Sequence, residues 1–489
     1  MKNISRLFRT LSYLRTEQIK YQLLKRLNKP EYKVYDISGF KVHDVCFMTP
    51  PIFKCKCVNG NTFDFLNLVH EFAGWNFAEN GMLWAYNQNY FDWINQEGIP
   101  AGEGCRWIDR FIEGLPDNRV GLDPYPTALR SINWVKFFCK CPECATKERL
   151  VSLYSQLKLL EKKLEYHLLG NHLLEDAYAL YIGAAFFNDE QLFRKASKLL
   201  IAQLKEQVLP DGAHFEQSPM YHCILLDRLL DCINIKSDSE LVGYAQRMLG
   251  HLESTACSDK TIPLLNDAAN GIAPTPGQIF DYAKRLGLQW RELPLKESGY
   301  RKMFSGSLEA IVDVGNITAT YQPGHTHADT FNYELRIEGQ PFVVDTGIST
   351  YNKTERRQVE RSTVAHNCVS VDGRDSSEVW GGFRVGRRCH TNITEDTKSV
   401  IDATHDGFEK PCRRRFGMNT DGFSVEDWYD GVAVSYIHLS EGADEKRVNI
   451  ENAVSVELKP WKYSVEYNRF LEGKVIVIRF KDYLKYTIK

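Results

Sequence analysis

The apolar pattern of this chain changes period once, near residue 300, and that change limits the fold more than any other feature. Before it, apolar residues recur at helical spacing through Glu148–Leu169, Leu173–Phe187, Asp189–Val208, Pro219–Ile235, Ser239–Ala256 and Gln278–Leu286. Short connections make successive helices antiparallel neighbours. Ala177, Leu180, Tyr181, Ala184 and Phe187 spread over more than one helix face, as in a toroid or double layer. After the change, 307–314, 332–337, 342–345, 367–371, 432–436 and 474–480 read as strands, punctuated by Gly, Asn and Asp. Strands without intervening helices imply an antiparallel β-sandwich. The expected architecture is multidomain α+β: a mixed extension over 1–75, a helical domain over 76–298 and a sandwich over 299–489. Within the extension, 1 to about 30 reads as a basic amphipathic helix, and Gly39-Phe-Lys-Val as a short strand.

Lys and Arg number 61 against 63 Asp and Glu, with no basic block, which argues against nucleic acid as the main partner. The 13 cysteines are odd in number and scattered, unlike a disulfide framework. Cys55-Lys-Cys57 and Cys139-Lys-Cys-Pro-Glu-Cys144 hint at structural zinc, but the Cys-x-x-Cys spacing occurs once only, so reduced thiols are the plainer reading. No apolar run is long enough to span a bilayer, and the N-terminus lacks the apolar core of a signal peptide. A cytoplasmic location is expected, with a periplasmic or secreted one as the alternative.

Two stretches gather candidate chemistry. In Gly324-His-Thr-His-Ala-Asp329, His325 and His327 would project from one face of a strand. Asp345 closes the next apolar run, and His366 follows in Arg361-Ser-Thr-Val-Ala-His-Asn367. Imidazoles and a carboxylate so placed could hold a divalent metal with an open position, or position a substrate group without one. The second group is two helix starts. Gly170-Asn171-His172 and Ser218-Pro219-Met220-Tyr221 both put polar side chains at the positive end of a helix, where an anion is stabilised. Asn171 and His172 could grip a carboxylate there, with Glu175 one turn on to orient His172. The bland alternatives are a capping Asn and an interface Tyr.

The motifs Asn171-His172-Leu-Leu-Glu175, Gly212-Ala-His-Phe-Glu-Gln-Ser-Pro-Met-Tyr-His222, Asn266-Asp-Ala-Ala, Gly324-His-Thr-His-Ala-Asp329, Val344-Asp-Thr-Gly347 and Arg361–Asn367 occur in that order. In this the chain resembles the heparinase II/III-like polysaccharide lyases over roughly 150 to 390. The resemblance implies an incomplete (α/α) toroid followed by the β-sandwich, and β-elimination at uronic acid residues of an acidic polysaccharide. It implies that Asn171 and His172 neutralise the uronate carboxylate, that Tyr221 acts as base or acid, and that His325 works beside it with Tyr351 as a second tyrosine. Glu175, Glu216, His222 and Arg361 become substrate-binding candidates. His327, Asp345 and His366 become ligands of one structural zinc per chain. A homodimer is left open. The chemistry suits these residue types, because donors aimed at the carboxylate stabilise the charge that builds as its α-proton leaves. Nearby cations and the helix start are expected to lower the Tyr221 pKa towards the working range. The rival readings are a non-catalytic acidic-glycan-binding protein, a glycoside hydrolase using Glu175, Glu216 or Asp267, and an iron oxygenase built on His327, Asp345 and His366.

Overall fold

The computed structural model describes residues 2–40, 47–54 and 56–489, with side chains from Ile4 onward. Two short helices, α1 (Lys2–Leu11) and α2 (Thr16–Leu27), precede a small antiparallel sheet of Val58–Asn59, Thr62–Phe65 and Leu68–Glu71. Where Gly39-Phe-Lys-Val reads as strand, Gly39 lies in a turn and Lys41 and Val42 fall outside the described residues, as does Cys55.

From Met82 to Arg285 the chain is helical, and the long helices Pro124–Lys140, Lys147–Lys163, Gly170–Phe187, Glu190–Gln207, Pro219–Ile235 and Ser239–Thr255 pack in series. Gly170–Phe187 is buried on nearly every side, because it packs against Pro124–Lys140, Glu190–Gln207 and Pro219–Ile235. Trp84, Trp93, Trp107 and Trp134 fill the core at the N-terminal end of the series. The segment 164–169, expected to prolong the preceding helix, turns instead, and this delivers Gly170 to the cleft.

The C-terminal half is an antiparallel sheet of eleven strands. Tyr300–Ser305, Leu308–Asp313, Tyr333–Ile337 and Gln340–Val343 are successive neighbours; Thr391–Asp396, Val400–His405, Cys412–Asn419 and Gly422–Leu439 form the second run. Leu439 pairs with Val343 and joins them. Arg469–Ile488 runs beside Gly422–Leu439 and then Val448–Glu466, with bulges that bend these long strands. One face buries Val312, Leu335, Phe416, Val425, Ile478 and Phe480. Cys412–Asn419, a strand not read from the sequence, is buried at every second residue, as one face of a sheet requires.

The halves meet along Ser218, Asn266, Asp267 and the loop 314–332. Ser218 Oγ donates to Asp267 O at 2.6 Å, Asp267 N to His325 O at 3.1 Å, and Gln217 Nε2 to Ser298 O at 2.7 Å.

Candidate active site

The helix start at Ser218 forms as its sequence dictates. Ser218 Oγ accepts from the Tyr221 N–H at 3.3 Å, and Pro219 occupies the first helical position. Tyr221 therefore sits in the first turn, facing the sandwich wall. His325 lies against it with ring centroids 3.9 Å apart, and Tyr351 OH is 3.2 Å from Tyr221 OH and 3.4 Å from His325 Nδ1. Tyr221, His325 and Tyr351 thus form one contact group across the domain interface.

Asp267 is the anchor of that group. Its carboxylate takes His325 Nδ1 at 2.9 Å, His327 Nε2 at 2.8 Å and the Arg357 guanidinium at 2.7 Å. Burial raises the carboxyl's pKa, but Arg357 and the two imidazoles more than offset that and hold it well below the usual carboxylate range. His325 and His327 lie in a loop rather than the expected strand, and alternate spacing still brings both rings to one carboxylate. With Nδ1–H on Asp267, His325 presents Nε2 to the cleft, 3.4 Å from Asn171 Nδ2 and from Glu216 Oε2.

Asn171 does not cap its helix. Glu216, from the neighbouring segment, accepts both the Asn171 main-chain N–H and its Nδ2, each at 2.8 Å. Gly170 permits this: its φ is +58°, and a Cβ there would come within 2.3 Å of Glu216 Oε1. His172 is held by Glu165 at 2.9 Å rather than by Glu175, and it packs on Tyr125. Burial opposes its charge, but Glu165 outweighs burial and raises its pKa. The ring is partly exposed, and Glu165 favours its charged form.

Other expectations are corrected. Tyr221 is not activated by a lowered pKa: burial pushes the phenol well above its ordinary value, and Asp267 and Glu216 add to that. Glu175 is fully buried with Arg228 Nε at 3.8 Å, so it reaches neither His172 nor the cleft. His222, the next residue along the helix, points away from the Tyr221 face: its Nε2 donates to Met248 O at 3.0 Å, and burial pulls its pKa to about 3. Arg361 is fully buried and donates to Thr326 O at 2.8 Å, bracing the loop that carries His325. Asp267, Arg357, Glu165 and Tyr125 carry the geometry without having been singled out in these roles. Asp267 lay in the Asn266-Asp-Ala-Ala motif and Tyr125 in Leu122–Arg130, which also resembles the family. Arg357 had no sequence signal, since its partner lies 90 residues away, and Glu165 none, since a turn rather than a helical spacing brings it to His172.

For a metal the fit is partial. Among the described residues no three His, Cys, Asp or Glu side chains are grouped to hold an ion, and this includes the Cys139–Cys144 segment. The His327 and His366 rings are 5.2 Å apart, and His327 Nδ1 and His366 Nε2 are buried without partners, as two ligand nitrogens would be. Asp345, however, is committed to His366 Nδ1 at 2.8 Å, to Asn332, and to the Gly347 N–H at 2.8 Å. In this arrangement it orients His366 rather than presenting a free ligand oxygen.

Beside the tyrosines lies a cavity of about 390 Å³. Asn133, Lys136 and Arg228 line it from the toroid, and Glu466 and Tyr467 from the sandwich. The Tyr467 ring lies 5.5 Å from that of Tyr351, so cavity and contact group adjoin.

A helical toroid joined to an antiparallel sandwich, with a Tyr–His–Tyr group at their junction, defines the class. The N-terminal region of the heparinase II/III family matches residues 131–273, and the heparinase II/III-like C-terminal region matches 290–461. The chain belongs to the heparinase II/III-like family. It is 27% identical over 243 residues to a heparin-sulfate lyase of Pedobacter heparinus, covering 42% of this chain and 36% of that protein. It is 25% identical over 248 residues to one of Bacteroides stercoris, covering 43% and 37%. The matched part thus spans little more than a third of these relatives. A crystal structure of heparinase III superposes with a TM-score of 0.66 at 15% identity, covering 85% of this chain and 79% of the other. A heparan sulfate lyase of Pedobacter heparinus gives 0.55 at 16% identity, covering 96% and 87%. These structures share the toroid-and-sandwich fold. No helix among the described residues is long and apolar enough to cross a membrane.

Proposed function

We propose that the chain is a polysaccharide lyase that cleaves a uronic-acid-containing acidic polysaccharide by β-elimination. The observation that carries this is the Tyr221–His325–Tyr351 group, fixed by Asp267 at the junction of toroid and sandwich and flanked by Asn171 and by His172 with its Glu165 partner. The names of the two curated relatives point to the same class.

His172 takes the uronate carboxylate, joined by the Asn171 Nδ2 hydrogen that leaves His325 Nε2 when substrate enters, where charge builds as the C5 proton leaves. His325 Nε2, whose tautomer Asp267 fixes, takes that proton. The electron pair forms the C4=C5 bond, the C4–O bond breaks, and the leaving oxygen takes the Tyr221 proton. A phenol with a raised pKa keeps that proton until the oxygen needs it. The Nε2 proton of His325 and the Tyr221 phenolate are reset through solvent after product leaves, with Tyr351 OH 3.2 Å from Tyr221 OH to hydrogen-bond the phenolate meanwhile.

The measurement is ultraviolet absorbance of the unsaturated uronate on a panel of glucuronate, iduronate and alginate-type polymers. Growth of reducing ends without that chromophore means hydrolysis. Tyr221→Phe is expected to abolish turnover of polymer, and to impair a uronoside with a good leaving group far less, because such a group needs no proton donor. Equal loss on both substrates removes Tyr221 from the donor role. Hydrolysis is disfavoured because Asp267 is saturated by Arg357 and two imidazoles and so cannot serve as a general acid.

The zinc reading is part of the proposal. It is supported by the two orphaned imidazole nitrogens of His327 and His366, with Asp345 joining them as a ligand only on turning from its present partners, and a structural role under the His325 loop. Elemental analysis of protein never exposed to chelator is expected to give one zinc per chain, and finding none refutes this. Acidic polysaccharide as the partner, a homodimer and a cytoplasmic location remain part of the same proposal.

A further inference from the structure

The N-terminal helices turn the wrong face to water. In α1, Ile4, Leu7, Phe8 and Leu11 follow the i, i+3, i+4, i+7 spacing of one helical stripe. That stripe points to solvent, with Ile4 61% and Phe8 68% exposed. The opposite face is bound to the sandwich: Arg9 meets Glu378 at 2.8 Å, Thr10 accepts from Trp380 at 3.1 Å, and Tyr13 just beyond receives Arg388. Helix α2 repeats the arrangement. Gln18 donates to Leu168 O and Tyr321 O, Tyr21 stacks on Tyr166 and Lys25 meets His167 at 2.8 Å. Away from these contacts, Ile19, Leu23 and Leu27 form a second exposed stripe, with Leu27 84% exposed.

The charge is equally one-sided. Residues 2–29 hold eight Lys and Arg against the single acid Glu17, a net +7. The chain totals −2, so the remainder carries −9. Arg6, Arg9 and Arg15 are paired with Glu378 and Glu206, whereas Lys20, Arg26 and Lys29 stand exposed beside the apolar stripe of α2. Apolar side chains flanked by lysines and arginines are the surface that sinks into an anionic bilayer, with the acyl boundary taking the first and the headgroups the second. A two-fold pairing of this surface with its own copy would bring +7 against +7, and a polyanionic sugar would leave both apolar stripes in water.

We propose that α1 and α2 form a docking surface for an anionic lipid bilayer. The hairpin is bonded to the toroid through Leu168, Tyr166 and His167 and to the sandwich through Tyr321, Glu378 and Trp380, so docking holds the whole molecule rather than a loose tail. The proposal is independent of the lyase reading.

The test is flotation of the full chain with vesicles of phosphatidylcholine, with and without phosphatidylglycerol. Wild type is expected to float with the anionic vesicles at low salt, to be released at high salt, and to leave neutral vesicles largely unbound. Phe8→Asp with Leu27→Asp is expected to lower the bound fraction at least about tenfold, because binding scales with the buried apolar area. Lys20→Glu with Arg26→Glu should do so at low salt. All four side chains point to solvent, so the melting curves should match wild type. Failure of wild type to float, equal binding to neutral vesicles, or undiminished binding by the aspartate variant overturns the proposal. So does a concentration-dependent dimer that the aspartate variant abolishes while wild type ignores vesicles.

Discussion

Replacing Asp267 by Asn tests the centre of the reasoning, because three groups from two other parts of the chain converge on one carboxylate. Arg357 is fully buried, and its guanidinium gives two hydrogen bonds to Asp267. The remaining guanidinium contact is Nε to Gly382 O, with the rings of Tyr351 and Phe383 about it. Asn leaves that cation buried without a counter-charge and turns an amide hydrogen towards the guanidinium or an imidazole. Breaking a buried pair from one side costs about 3–5 kcal/mol. Unfolding entropy of roughly 2.1 cal/mol/K per residue gives about 1 kcal/mol/K for a chain of this length melting as one unit. The melting midpoint should therefore fall by about 3–5 °C, read by circular dichroism. Asp267→Asn combined with Arg357→Met removes the stranded cation while keeping its apolar stem, and should recover more than about half of that loss. Activity should part company with stability. Without Asp267 the His325 tautomer is no longer fixed, so both variants should lose at least about a hundredfold in kcat. A single variant melting within a degree of wild type, or a double variant melting below the single, refutes the account of Asp267 as a charge anchor.

Gly170→Ala should destabilise by about 1 kcal/mol or more from its positive φ alone and displace Glu216 from Asn171, raising KM more than a helix-surface Gly→Ala control such as Gly243→Ala. Glu175 supplies a pH prediction: burial lifts its carboxyl to about 7 from 4.5, despite Arg228. The folded state thus favours the protonated acid, and this contribution is fully present below pH 4.5 and lost as pH rises through about 7. The whole effect is on the order of 3 kcal/mol. Glu175→Gln should flatten the stability curve between those values in denaturant titrations, and an unchanged slope refutes it. The Tyr221→Phe comparison and the zinc measurement given above complete the set.

Much of the molecule was legible locally. The Ser218-Pro219 helix start formed where the capping rule put it, because a hydroxyl, a missing N–H and a fixed φ act within four residues. The break near 300 agrees with a first strand at Tyr300, because periodicity reports which face of each element is buried. Reading failed where a partner is distant. Asn171 looked like a cap, but the cap is Glu216, 45 residues on. His172 looked oriented by Glu175, but the turn at 164–169 brings Glu165 to it instead. Arg357 gave no sign, since its meaning lies in a carboxylate 90 residues away.

The sequence by itself thus determined the two architectures and the residue types gathered at two helix starts and one histidine-rich loop. Hydrophobic period and capping are short-range, and the chain states them directly. The tertiary structure alone decided that Asp267 would bind His325, His327 and Arg357 together, that Tyr221 would stack half-buried against His325, and that Glu175 would be sealed from the cleft. Those outcomes depend on burial and on charges brought together from remote segments. The same carboxylate or phenol is weakly perturbed in water and strongly perturbed in a packed interface, and only the fold decides which it meets.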